Sequence, residues 1–133
     1  MNVHLLEEKD LEKAYQIYGE CFEKMSFNHS YTMRENVLGL YLDNKLIGLC
    51  QINFIDNIFE EKRIAYLNSF CIEKSCQHKG YGDYFFKKVI QYCKEKEANK
   101  INLTSNKNRI YAHKLYQKND FNVIDTIFFN KNI

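Results

Sequence analysis

Between Ile72 and Gly80 the spacing of apolar side chains changes period, and this change limits what the chain can fold into. Upstream the pattern is strand-like. Leu38-Gly39-Leu40-Tyr41-Leu42 meets the turn dipeptide Asp43-Asn44, after which Leu46 to Ile55 resumes the strand. A second connection at 57–62 leads to Ile64 through Ile72, giving an antiparallel meander of three strands. Downstream, Tyr81, Phe85, Phe86, Val89, Ile90 and Cys93 fall at helical spacing between Gly80 and Glu97.

The flanks extend this order. Val3 to Leu6 reads as a short opening strand. Asp10 is a helix N-cap, with Leu11, Ala14, Tyr15, Ile17, Tyr18 and Cys21 following at helical spacing. Residues 23–31 read as a loop, and Thr32 caps a short helix through Val37. Ile101-Asn102-Leu103 is a short strand, 109–118 is helical with Ala112, Leu115 and Tyr116 on one face, and Phe121 to Phe129 is strand-like. The expected order is β-α-α-β-β-β-α-β-α-β, a mixed α/β (α+β) architecture with strand–helix–strand crossovers in its second half. With no repeat and no low-complexity linker, residues 1–133 are read as one domain.

Composition excludes several classes. At 45% apolar and 27% charged residues, disordered and fibrous chains are ruled out. No apolar run approaches the ~18 residues of a membrane helix, and no secretory signal is visible, so no membrane partner and a cytoplasmic location are expected. Nineteen basic against 17 acidic residues is far from the excess of a dedicated nucleic-acid binder. The five cysteines include no C-x-x-C pair and do not cluster with the histidines, which favours reduced thiols and no metal site. Phe and Tyr supply 20 residues while Trp and Pro are absent, so aromatics dominate the expected core.

The sharpest local feature is Gln77-His78-Lys79-Gly80-Tyr81-Gly82, between an expected strand and an expected helix. Glycines there let a ligand approach the backbone, and a helix N-terminus offers unpaired N–H groups and partial positive charge to a phosphate. A dinucleotide fingerprint would need glycine at position 85, which is Phe85, and no P-loop is present. The alternative is that Gly80 and Gly82 only permit tight strand–helix packing.

Further on stands Arg109-Ile110-Tyr111-Ala112-His113-Lys114-Leu115-Tyr116, ending near Asp120-Phe121. With the glycine turn, this stretch resembles the GNAT superfamily of N-acetyltransferases. Gln77, Gly80 and Gly82 match its pyrophosphate-binding loop; Ala112, Leu115 and Tyr116 match its later helix. In motif detail the resemblance covers residues 64–121. It implies a mostly antiparallel central sheet flanked by helices, with acetyl-CoA as cosubstrate and a primary amine of a small molecule or of a peptide or protein as acceptor. Two departures stand out. Asp120 replaces the usual glycine before the aromatic residue, and Leu67-Asn68-Ser69-Phe70 lacks the glutamate that often serves as general base.

On this resemblance the backbone from Gln77 through His78, Lys79, Gly80, Tyr81 and Gly82 holds the pyrophosphate. The pantetheine arm lies along Cys71 and Ile72, with Asn108 as a further contact. Tyr116 is the expected general acid toward the leaving thiolate, or else one more core tyrosine among ten. An acetyl-cysteine on Cys71 is a rival route. His113 touches cofactor or is a surface residue. Glu60 and Glu61 are candidate bases beside a route through water and Asn68. Phe22, Met25, Phe27, His29, Tyr31, Ile58 and Phe59 either wall the acceptor cleft or pack into the core. A non-catalytic acyl-CoA-binding regulatory module is the alternative function. Monomer and homodimer both stay open, because a strand near Phe121 to Phe129 could pair with a second chain.

Overall fold

The structure, a computed structural model, describes residues 1–24 and 36–133. Among these residues a five-stranded sheet runs in the order β1 (Asn2–Leu5), β2 (Val37–Leu42), β3 (Lys45–Asn57), β4 (Lys62–Ile72), β5 (Lys100–Leu103). The first four strands are antiparallel to their neighbours, and β5 lies parallel to β4. The helices are α1 (Leu11–Phe22), α2 (Tyr81–Glu95) and α3 (Ile110–Lys118).

Local chemistry sets the connections. The β2–β3 hairpin closes on Asp43 and Asn44 at φ 51° and 63°, the left-handed pair that a two-residue turn of matching twist requires. Asp10 precedes α1 as expected, but its carboxylate makes no cap bond. Its Oδ2 accepts the Tyr41 hydroxyl at 3.1 Å instead, tying α1 to β2. Arg63 secures the crossover from β4 to β5. It pairs with Asp56 across the β3–β4 ladder at 2.7 Å and donates to the Lys96 carbonyl, just past α2, at 2.9 Å.

Both faces of the sheet are covered. Leu40, Ala65, Leu67, Phe70 and Ile72 pack on Phe85, Phe86 and Val89 of α2 and on Tyr116 of α3. Leu46, Leu49 and Cys71 pack on Ala14 and Ile17 of α1. Leu67 and Phe70 share a face although an odd step separates them. The cause is Ser69, at φ 64°: β3 advances from Leu49 to Gln51 while β4 advances from Asn68 to Cys71. This one-residue bulge reverses the side-chain parity of the last turn of β4.

Two expectations need comment. The helix expected from Thr32 lies outside the described residues as far as 35, and Val37 opens β2. The strand expected over Phe121 to Phe129 does not form: residues 121–133 join no sheet, and those from 122 on are exposed. The alternation suits a strand, but a strand needs a partner, and none of the described residues pairs with this segment.

Candidate active site

Pairing between β4 and β5 covers Ile64 to Leu67 and stops at Leu103. Among the described residues, β4 continues to Ile72 with only β3 beside it. Its far edge from Asn68 to Ile72 is therefore open over roughly 17 Å, at ~3.3 Å per residue. Main-chain groups on that edge are placed to pair with an extended, amide-bearing ligand.

The end of β4 turns into the glycine loop under tight control. The Ile72 carbonyl accepts the Gln77 side-chain amide at 2.8 Å and the Cys21 thiol of α1 at 3.1 Å. The Gln77 main-chain N–H donates to Lys74 at 3.3 Å. Gln77 thus shapes the loop with both of its amides. His78 at φ 61° and Gly80 at φ 86° take left-handed conformations, and α2 begins at Tyr81 with no side-chain cap. The first N–H groups of α2 have no acceptor within the helix and stand at its positive end.

The space beside the glycines is open. A Cβ at Gly80 would meet nothing within 4 Å, and one at Gly82 would meet only Ile72 Cγ1 at 3.9 Å. Strand–helix packing therefore does not explain this pair. Gly80 answers a backbone need, and Gly82 leaves room next to free N–H groups. His78 and Lys79 are exposed on the same loop, and the His78 ring meets Tyr111 of α3 edge-on at 5.3 Å.

The helix α3 lies across this entrance. Its last turn is held to the first turn of α2, where Asp83 receives Lys118 at 3.6 Å and Asn119 Nδ2 at 3.5 Å. Lys87 first, with Asn119 and Lys118, holds the Asp83 carboxyl below its usual range. The missing glycine is replaced without loss of form. Asp120 takes φ 66°, its N–H bonds to the Gln117 carbonyl at 3.1 Å, and the Phe121 N–H bonds to the Tyr116 carbonyl at 3.0 Å. These are the two bonds of a Schellman cap, and the Phe121–Tyr116 ring contact at 6.3 Å supplies its apolar clasp.

Tyr116 is buried, with its ring 5.2 Å from Phe86. Burial pushes its phenol above the ordinary value, and the positive charge of Arg109 opposes that push. Cys71 faces α1, on the side of the sheet away from Tyr116. A hydrogen bond with Cys21 and burial hold its thiol protonated well above the usual range, so it is no thiolate at neutral pH.

Other sequence candidates separate. Asn108 is exposed ahead of α3, its N–H donating to Asn106 Oδ1 at 2.9 Å. His113 bonds Ser105 Oγ at 3.1 Å and so pins the lead-in to α3. Glu60 and Glu61 sit with exposed Ile58 and Phe59 at the β3–β4 hairpin tip. The whole of β4 separates that tip from the loop, about 30 Å of extended chain, so neither carboxylate reaches the site. Asn68 is exposed on the open edge and donates to Asn53 Oδ1 at 3.0 Å. Arg109 lies over the Phe22 ring at 5.0 Å. Met25, Phe27, His29 and Tyr31 lie outside the described residues. Among the described residues no cluster of His, Cys, Asp and Glu could hold a metal, and no helix is long and apolar enough to cross a membrane. The feature that sequence reading missed is the Ser69 bulge, although the odd apolar step from Leu67 to Phe70 signals it.

A sheet open past Leu103 and an uncapped helix start beside it, with Tyr116 buried on α3, form an arrangement that an acyl-transferase can use. The profile of the Acetyltransferase (GNAT) family matches residues 4–121, and the chain belongs to that family as an acetyltransferase. It is 29% identical over 113 residues to a probable spermine N(1)-acetyltransferase of Bacillus subtilis subsp. natto (strain BEST195), covering 83% of this chain and 72% of that protein. Among solved structures, an aminoglycoside acetyltransferase from an uncultured soil metagenomic sample superposes with a TM-score of 0.83 at 20% identity, covering 99% of this chain and 95% of the other. A putative acetyltransferase from Agrobacterium tumefaciens str. C58 gives 0.85 at 12% identity, covering 99% and 100%. These two show a shared fold.

Proposed function

We propose that residues 1–133 form one acetyl-CoA-dependent N-acetyltransferase domain that moves an acetyl group directly to a primary amine. The observation that carries this reading is the meeting of the open β4 edge with the uncapped start of α2 at the Ile72 carbonyl. The N–H groups from His78 to Gly82 bind the pyrophosphate, with His78 and Lys79 beside it. Main-chain groups at Cys71 and Ile72 orient the pantetheine amides, and Asn108 closes the arm from the α3 side. The thioester supplies an acyl group already activated for attack by nitrogen.

The chain's own task is then proton management and orientation. Tyr116, kept protonated by its burial, donates to the sulfur as the C–N bond forms and the C–S bond breaks. Solvent returns that proton. Stretch 67–70 carries no carboxylate, and the amine loses its proton to solvent at Asn68. Cys71 takes no covalent part.

The relatives named for spermine and aminoglycosides support a small polycationic amine ahead of a peptide or protein amine. Thiol release from acetyl-CoA with spermine, an aminoglycoside, an amino acid and a peptide N-terminus tests this reading. Turnover with a polyamine or aminoglycoside alone supports it. Acetyl-CoA binding without turnover on any amine would favour the regulatory module instead.

A further inference from the structure

The α1 side of the sheet carries a short row of amides beside the open edge of β4. Strand parity puts Leu49, Gln51 and Asn53 of β3 on that side, since Cys50 and Ile52 between them belong to the core under α2. Ahead of the Ser69 bulge, β4 adds Asn68 to it, because Leu67 faces α2. The register sets Gln51 directly opposite Asn68, with Asn53 two residues along. Leu49 is buried under α1, whereas Gln51 and Asn53 are half-buried and Asn68 is exposed. Apolar packing thus gives way to amides where the edge opens.

The three side chains are bonded in one sense. Asn68 Nδ2 donates to Asn53 Oδ1 at 3.0 Å, and Gln51 Nε2 donates to the same oxygen at 3.4 Å. One carbonyl oxygen, with two lone pairs, takes both donors. Committing the Asn68 nitrogen to Asn53 leaves the other arm of that amide, Oδ1, without a donor among the described residues. An untethered amide could offer either end to a ligand; this one offers its oxygen.

We propose that Asn68 Oδ1 receives an N–H of the acceptor amine, and that Asn53 and Gln51 are positioning residues that hold it ready. This rests on the N-acetyltransferase reading above, in which the acyl group lies along the edge from Asn68 to Ile72. The neutrality of the anchor has a chemical consequence. Attack on the thioester needs the nitrogen lone pair, so an ammonium must first lose a proton. A carboxylate here would hold the ammonium more tightly and raise its pKa. An amide oxygen orients the nitrogen without that shift, so more of the bound amine is in its reactive form at a given pH.

The test is thiol release from acetyl-CoA with the amine, among the four classes assayed above, that the wild type acetylates fastest, read as kcat and KM against pH. Asn68→Asp should lower the amine KM roughly two- to fivefold, as a solvated ion pair does, and move the acid limb of kcat up by about one pH unit. Tyr66 on the same side of β4, Cys71 past the bulge and Arg109, whose charge acts on Cys71, are the neighbouring titratable or charged groups; Gln51 and Asn53 of β3 carry no charge. All of these remain in Asn68→Asp, so a moved limb reports the group at 68. Asn53→Leu removes the anchoring oxygen and should lower kcat/KM for the amine roughly tenfold, with the KM for acetyl-CoA unchanged. Asn53→Asp restores an oxygen for both donors and should recover most of that loss. An Asn68→Asp enzyme with wild-type amine KM and pH profile overturns the proposal, as does a folded Asn53→Leu enzyme with wild-type kcat/KM. Should Asn53→Leu fail to fold, the exposed position 68 decides alone. A wild type that acetylates none of the amines overturns the N-acetyltransferase reading and this assignment together, whereas variants equal to an active wild type overturn this assignment only.

Discussion

The Gln77 side-chain amide meets the Ile72 carbonyl at 2.8 Å, joining the last residue of β4 to the turn that opens α2. The carbonyl also accepts the Cys21 thiol, so three elements converge on one oxygen. Gln77→Ala should cost about 1 kcal/mol of stability, the usual net value of one such bond. The acetyl-CoA-induced rise in melting temperature should shrink further than that loss alone accounts for. Melting curves with and without acetyl-CoA check this, and an undiminished rise would mean the loop keeps its shape by other contacts.

Gly80 and Gly82 should respond differently to a side chain. Gly82→Val should leave the free protein near wild-type stability, since the nearest atom to a new Cβ is Ile72 Cγ1 at 3.9 Å, while the thermal shift given by acetyl-CoA disappears. Gly80→Ala should cost about 1–2 kcal/mol through its left-handed backbone, although no atom crowds it. Calorimetric titration with acetyl-CoA separates the two effects.

Tyr116→Phe should leave acetyl-CoA affinity within a few-fold and lower kcat by roughly 10²-fold, the scale of one acid–base group. Burial raises the phenol's affinity for its proton, so the wild type should keep its rate beyond the ordinary phenol range before losing it at high pH. The Phe variant should lack that alkaline limb. Equal turnover by the two proteins would remove Tyr116 from the proton path.

Cys71→Ala should retain turnover and lose about 1 kcal/mol of stability, a common cost for a small core truncation. Its thiol is held protonated and faces α1, away from Tyr116. Mass spectrometry after mixing with acetyl-CoA should find no acetyl group on this residue. A stable adduct there, with activity lost in the alanine variant, would restore the covalent route.

Alkaline unfolding should depend on Tyr41. Burial pushes its phenol up to about 12, above the ~10 of an unfolded tyrosine. A raised folded value means its contribution is fully present below pH ~10 and is lost as pH climbs through the folded value. Denaturant titrations across that window should show a steeper fall for wild type than for Tyr41→Phe. Identical slopes would mean Tyr41 ionises without penalty.

The sequence announces the meander, the crossover helices and the loop because each rests on local signals: apolar period, the Asp43-Asn44 turn, and paired glycines at a helix start. What escaped it depends on neighbours distant in the chain. Asp10 sits at a helix start as expected, but Tyr41 takes its carboxylate. Glu60 and Glu61 are suitable as bases by chemistry and placed at the wrong end of β4 by topology. The alternation of Phe121 to Phe129 suits a strand, but no strand forms there, because residues 121–133 find no partner among the described residues.

Ser69 also bears on how this chain can change over time. Because a single inserted residue decides which face of the sheet Phe70, Cys71 and Ile72 occupy, the length of the stretch between Leu67 and Phe70 matters more than its composition. Substitutions there can be absorbed one side chain at a time. A single-codon insertion or deletion would turn Phe70 and Ile72 toward α1 and Cys71 toward α2, exchanging the linings of two cores in one event. The hairpin tip at 57–62 carries no such restriction, so length variation in related chains should accumulate at that tip and spare these few positions of β4.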